Sequence, residues 1–233
     1  MKSFPWVFWC VAVLFTITVI GINQNNLEEG LKVIKKVPTT QKVVALTIDD
    51  GPHERATPEL LDTLRQKQVK VTLFVLGKNI ERNASILAQA ASDGHEIANH
   101  AFSHKFLNKF TPTEFAEEIL ATEKLITAVA PKPTLFRPPG GGYNDVLVAE
   151  ARRLGYTTIL WSIDTRDWQG ISADQLVSIV MKNVKPGSII LMHDGQYPIA
   201  TTKAIGTIID RLHAEGYSIV TVSELLKCYE AKQ

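Results

Sequence analysis

The chain is predicted to fold as an α/β domain on a largely parallel sheet, and three observations predict it. Short β-rich runs alternate with amphipathic helical stretches from Val43 almost to the end, the pattern of repeated βα units. Gly94, Gly155 and Gly216 each stand just past a helical pattern, where left-handed C-cap geometry is wanted. Five polar motifs fall at the C-terminal ends of five different predicted strands, where βα architectures gather their chemistry. Seven such units fit either a barrel one strand short of eight or an open doubly wound sheet.

In chain order, residues 1–3 form a short flank. Residues 4–22 carry no charge and are dominated by Phe, Trp, Val, Leu and Ile, long enough to span a bilayer as a helix. The run is longer than a secretory h-region, and Gly21-Ile22-Asn23 makes a poor cleavage site, so it reads as a retained signal anchor. Trp6, Phe8, Trp9 and Phe15 point all round such a helix, which argues against a buried core helix. Residues 23–42 are polar and read as a linker. The predicted strands are Val43–Ile48, Val71–Leu76, Glu96–Ala98, Leu135–Arg137, Thr157–Ile163, Ser188–Met192 and Ser218–Val222. The helical patterns are Pro58–Gln68, Asn83–Ala91, Thr113–Val129, Asp145–Leu154, Ala173–Val184, Ala200–Ala214 and Ser223–Glu230, with Thr57 and Ser172 as expected N-caps. The main globular domain is expected over 43–225, and residues 226–233 as a tail.

Composition narrows the function. An apolar fraction of 45% with 21% charged residues is ordinary for a globular domain. The formal net charge of +1 gives no electrostatic footprint for nucleic acid. Cys10 and Cys228 make neither a disulfide framework nor a thiol metal site, so any metal must be held by His, Asp or Glu.

Thr47-Ile48-Asp49-Asp50-Gly51-Pro52 ends the first strand with two carboxylates that are costly to desolvate without a cation or proton. Neighbouring strand residues point oppositely, so one carboxylate can bind metal while the other handles a proton. In Asn99-His100-Ala101-Phe102-Ser103-His104, two imidazoles four apart can converge on one ion and complete a two-His, one-Asp site. Phe136-Arg137-Pro138-Pro139-Gly140-Gly141-Gly142 fixes an arginine at a strand end and lets backbone amides approach a ligand. Asp164-Thr165-Arg166-Asp167-Trp168 supplies an aromatic platform for a sugar ring and a carboxylate that could orient Arg137. Leu191-Met192-His193-Asp194 places a histidine suited to general acid catalysis after an apolar strand.

With those strings in that order, and with VTLFVLG at Val71–Gly77, the chain resembles the NodB-homology polysaccharide deacetylases, carbohydrate esterase family 4. The resemblance runs from about Val43 to Leu225. It implies a distorted (β/α) barrel with seven parallel strands and a hydrolase removing N-acetyl groups from N-acetylglucosamine-type residues of a polysaccharide such as peptidoglycan. Asp50, His100 and His104 would bind one divalent metal ion, usually zinc in this family. Asp49 would be the general base and His193 the general acid. The backbone N–H of Gly140 would help stabilise the oxyanion, Arg137 and Asp167 would tune the base, and Trp168 and Leu191 would line the acetyl pocket. The implied partners are an acetylated glycan and, through residues 4–22, a membrane; a cell-wall substrate places the catalytic domain outside it. Two departures stand out. Ala101 replaces a common Ser or Thr, removing a hydrogen bond that braces the loop. Gly140 stands where many members carry Tyr, removing one side wall of the groove. Within the superfamily the alternatives are an O-acetyl esterase and a cyclic amide hydrolase; outside enzymes, a non-catalytic glycan-binding protein, against which stand all five of Asp49, Asp50, His100, His104 and His193.

Overall fold

A computed structural model describes residues 33–230. The expected membrane anchor at 4–22, the first half of the linker (23–32) and residues 231–233 lie outside the described residues. Among the described residues, no helix is long and apolar enough to cross a membrane.

The strands are β1 (Val43–Asp49), β2 (Thr72–Val75), β3 (Glu96–Asn99), β4 (Leu135–Phe136), β5 (Thr157–Thr158), β6 (Ile163–Asp164), β7 (Ile189–His193) and β8 (Ser218–Val220). All their pairings are parallel, and seven of them follow one path, β5-β4-β3-β2-β1-β7-β6, while β8 pairs with the start of β1. The helices are α1 (Ala56–Gln66), α2 (Gly77–Ser92), α3 (Pro112–Thr127), α4 (Asp145–Arg153), α5 (Ala173–Asn183), α6 (Ala200–Ala214) and α7 (Val222–Leu226).

The topology itself requires curling. β5 and β6 are the opposite edges of the path, yet only residues 159–162 separate them in sequence. Fully extended, that connection spans no more than about 18 Å, whereas a flat sheet would hold edges six strand intervals apart at about 29 Å. The sheet therefore bends round until its edges approach, giving a curled half-barrel, nearer the barrel expectation than the open doubly wound one; β5 and β6 are not paired. On β1 and β7, Val44, Leu46, Ile48, Ile190 and Met192 pack with the helices in the main core. Their alternates, Thr47, Asp49, Leu191 and His193, face the inside of the curl.

The expected strand Thr157–Ile163 is broken into β5 and β6. Ile34 bridges to Ile159, and the Arg137 side chain takes the carbonyls of Ile159 and Leu160, so the ladder is interrupted by competing partners. The linker expected to reach residue 42 ends earlier: Ile34 and Val37 are buried, and Lys36 bridges to Ser188. The tail is tied back as well, since Glu230 accepts hydrogen bonds from Thr39, Thr40 and Gln41. Helix α2 begins at Gly77, six residues before the expected start, and is kinked at Asn83 (φ −132°, ψ 34°), where the expected helix began. Ser172 caps α5 through a reciprocal capping box with Gln175, as expected. Thr57 is no N-cap; it lies inside α1. His95, just past the end of α2, is buried and accepts the Val71 N–H, and burial lowers its pKa to about 4.

Candidate metal and catalytic site

β1 ends on Asp49, and the next residue turns left-handed, with Asp50 at φ 77°. That turn cancels the expected opposite facing of the two carboxylates. Both come to the same imidazole: His100 Nε2 is 3.6 Å from Asp49 Oδ2 and 3.4 Å from Asp50 Oδ1. The Asp50 carbonyl is held by the Asn79 side-chain amide at 2.6 Å. Gly51 follows because there is no room for a side chain: a Cβ there would lie 2.5 Å from Asp194 Oδ1.

His100 and His104 follow β3. His100 is buried, and its Nδ1 lies 2.7 Å from the Arg137 carbonyl. A carbonyl can only accept, so Nδ1 carries a proton, and Nε2 is the ring nitrogen turned toward Asp50. His104, at φ 61°, brings its Nε2 to 3.2 Å from the same Asp50 oxygen. Burial alone would raise the Asp50 pKa, but the two histidines hold it well below the ordinary carboxylate range. Ligand atoms of Asp50, His100 and His104 lie within 4.8 Å of one another, and buried Asp50 Oδ1 has no geometrically sound hydrogen bond. Converging acceptors with an orphaned carboxylate oxygen among them fit a divalent cation, and two imidazoles with one carboxylate suit zinc or a similar metal.

The loop carrying both histidines is braced despite Ala101. Glu118 of α3 accepts from the N–H groups of Phe102 and Ser103 at 2.9 and 2.8 Å and from the Ser103 hydroxyl at 2.7 Å. Nothing in the local motif pointed to a carboxylate on the next helix.

Arg137 leaves β4 fully buried and crosses the inside of the curl to β1. Its Nη1 donates to Asp49 Oδ1 at 2.6 Å and to Thr47 at 2.9 Å, and its guanidinium lies 4.0 Å from the Phe74 ring centre. Burial lowers the Arg137 pKa, and the Asp49 charge works against that shift. The expected partnership of Asp167 with Arg137 is not found. Asp167 Oδ1 lies 2.7 Å from His193 Nδ1, Oδ2 accepts the His193 N–H at 2.7 Å, and the Thr201 hydroxyl also donates to Oδ2. β6 neighbours β7 in the sheet, so the carboxylate after β6 meets the histidine ending β7. Burial would lower the His193 pKa, but Asp167 and the Asp49 and Asp50 charges raise it to about 9. His193 stands in register with Asp49 on the neighbouring strand.

Asp194 was singled out only as part of the last motif. It is fully buried, takes the Thr57 hydroxyl at 2.5 Å, and is raised by burial to a pKa of about 7. Thr57 also accepts the His53 N–H, which ties the turn after Asp50 to α1. Leu191 is buried on β7 in register with Thr47, and Trp168 is 52% exposed. Gly140 sits at φ 64° in a 3-10 turn (Pro139–Gly141). The space beside it is taken by a residue of another loop: a Cβ on Gly140 would come 2.5 Å from Phe106 Cε1.

Residues 36–159 match the family model described as polysaccharide deacetylase. The chain is 39% identical over 207 residues to a peptidoglycan-N-acetylglucosamine deacetylase of Bacillus cereus, covering 88% of this chain and 97% of that protein. It is 32% identical to a chitooligosaccharide deacetylase of a Bradyrhizobium species, covering 78% and 90%. A crystal structure of a peptidoglycan N-acetylglucosamine deacetylase in complex with 4-naphthalen-1-yl-N-oxidanyl-benzamide superposes with a TM-score of 0.82 at 34% identity, covering 88% of this chain and 97% of that one.

Proposed function

This chain belongs to the polysaccharide deacetylase family, and from that premise we propose that it removes N-acetyl groups from N-acetylglucosamine-type residues of a cell-wall glycan. The observation that carries the reading is the convergence of Asp50, His100 and His104 beside two proton-handling groups, each with its own charged partner. A divalent cation on those three residues, most simply zinc, would polarise the amide carbonyl and bring the pKa of water from 15.7 toward about 7.

The chain's own residues divide the rest. Asp49, held through Oδ1 by Arg137, takes the proton from the attacking water, and water oxygen bonds to the carbonyl carbon. The Gly140 backbone N–H donates to the oxyanion as it forms. Asp167 fixes Nδ1 of His193, so Nε2 is the nitrogen that delivers a proton to the departing amine as the C–N bond breaks. Acetate and a free amino sugar result. Leu191 packs against the acetyl methyl and Trp168 against the sugar. Asp167 therefore serves the acid rather than the base.

The same reading tethers the domain outside the membrane through residues 4–22, where it meets a cell-wall polymer. Proteolysis of intact cells should remove the domain; full protection would refute that placement.

Acetate release from peptidoglycan and from N-acetylglucosamine oligomers should be abolished by a chelator, restored by zinc, and lost in Asp49→Asn. Parallel O-acetylated and cyclic amide substrates separate the related chemistries. If metal-loaded protein frees no acetate from any N-acetylated glycan, the proposal is wrong.

A further inference from the structure

We infer that Thr201 is a positioning residue for deacetylation: its hydroxyl, reaching out of α6, locks the Asp167 carboxylate in the orientation that aims His193 at the departing amine. The inference rests on the function proposed above. Thr201 is fully buried and opens the inward stripe of α6, which continues through Ala204, Ile205, Ile208, Ile209 and Leu212 into the main core. Every later member of that stripe is apolar. The hydroxyl stands at its first position, where the Asp167 carboxylate lies opposite.

A threonine inside a helix ordinarily bonds back to its own backbone. Thr63, Thr122 and Thr127 do so, each donating to the carbonyl four residues back, and Thr202 donates to the Ile199 carbonyl. Thr201 instead leaves its helix and donates to Asp167 Oδ2. A carboxylate has about four acceptor sites. At Asp167, His193 Nδ1 and the Trp168 N–H take Oδ1, while the His193 N–H and Thr201 take Oδ2. Two of those donors belong to His193 itself, and the third to the next residue in sequence. Thr201 is the donor that ties the pair to a separate, core-packed helix. Without it, Oδ2 keeps a single bond to the end of β7, and the carboxylate can twist about Cβ–Cγ, a torsion with no sharp preference of its own. A residue present only to fill the stripe would serve as well as valine, which has no polar group to satisfy.

The test compares wild type, Thr201→Val and Thr201→Ser in the full-length protein on two substrates. One is an N-acetylglucosamine oligomer; the other is p-nitrophenyl acetate, whose phenolate departs without a proton from an acid. In Thr201→Val, kcat on the oligomer should fall about tenfold or more with KM little changed, the loss of one hydrogen bond to a charged group that matters only as the amine leaves. Hydrolysis of the ester should fall less than about twofold, because it makes no use of the general acid. Zinc affinity in a chelator competition should also hold, since Thr201 touches none of Asp50, His100 and His104. Thr201→Ser should restore the rate on the oligomer, and Thr202→Val, which removes only the bond to Ile199, should leave both substrates unaffected. An unchanged kcat on the oligomer in Thr201→Val, an equal loss on amide and ester, or no recovery in Thr201→Ser overturns the inference while the deacetylase reading stands. A wild type that frees no acetate from any N-acetylated glycan overturns both.

Discussion

Asp167→Asn should separate the general acid from its counter-charge with little change of shape. His193 is raised from 6.5 to about 9, against burial that works the other way. At about 1.4 kcal/mol per tenfold change in proton affinity, that is about 3 kcal/mol of preference for the charged ring in the folded state. The pKa is raised above its unfolded value, so this stabilisation is fully present below 6.5 and is lost as pH rises through about 9. With a neutral amide at 167 the hydrogen-bonded counter-charge is gone, only the Asp49 and Asp50 charges still oppose burial, and the ring should titrate lower than in the wild type. Two readouts follow. The His193 ring protons, assigned by comparison with His193→Gln, should titrate at least about one pH unit lower in the variant by NMR, and the alkaline limb of kcat should move down in parallel. A cation at Asp50 lowers both values, so the difference between the two proteins is the quantity to read. The stability deficit of the variant should be largest near pH 6 and shrink above pH 9. If His193 titrates within half a unit of the wild type, Asp167 does not set its acidity and the division of roles drawn here is wrong.

Arg137→Met should leave Asp49 buried without its ion-pair partner and cost about 3–5 kcal/mol, lowering Tm by on the order of 10 °C in a thermal melt; a loss under 1 kcal/mol would contradict the pairing. Glu118→Ala should weaken zinc binding at least about tenfold in a chelator competition, because it frees the backbone between the two histidines, while the far-ultraviolet spectrum is retained. Affinity within twofold of the wild type would show that the loop holds itself.

Residue types at strand ends were legible in the sequence, and pairings between strands were not. Asp49, Asp50, His100, His104 and His193 stand out because charged or imidazole side chains close apolar runs. Which carboxylate serves which base or acid depends on strand order, which local pattern does not encode. Arg137 could be expected to meet Asp167 only while β6 was free to lie anywhere. Once β7 lies between β1 and β6, Asp167 falls to His193 and Arg137 reaches Asp49 through the inside of the curl. The same blindness split the fifth strand: nothing in Thr157–Ile163 announces that Ile34 will bridge Ile159 or that a guanidinium will claim two of its carbonyls. Bracing groups such as Glu118 and Thr57 are invisible for a related reason, since each sits on a helix face where such residues are ordinarily just solvated.

The charges of the assembled site explain why these pairings matter. Asp49 is answered by Arg137, and His193 by Asp167, so both proton-handling groups are neutralised within the protein at separations of 2.6 and 2.7 Å. Asp50 is the exception: its company is two imidazoles, and no lysine or arginine lies within ion-pair distance among the described residues. A carboxylate held below its ordinary pKa in a buried position, with one oxygen unsatisfied, is left with a charge that nothing permanent in the chain balances. Ion pairs at Asp49 and His193 that were looser or exchanged would let Arg137 or His193⁺ turn toward Asp50 and fill that role. Because each is already committed, the negative charge at Asp50 stays available to a cation from outside, and the acid and base keep fixed places beside it.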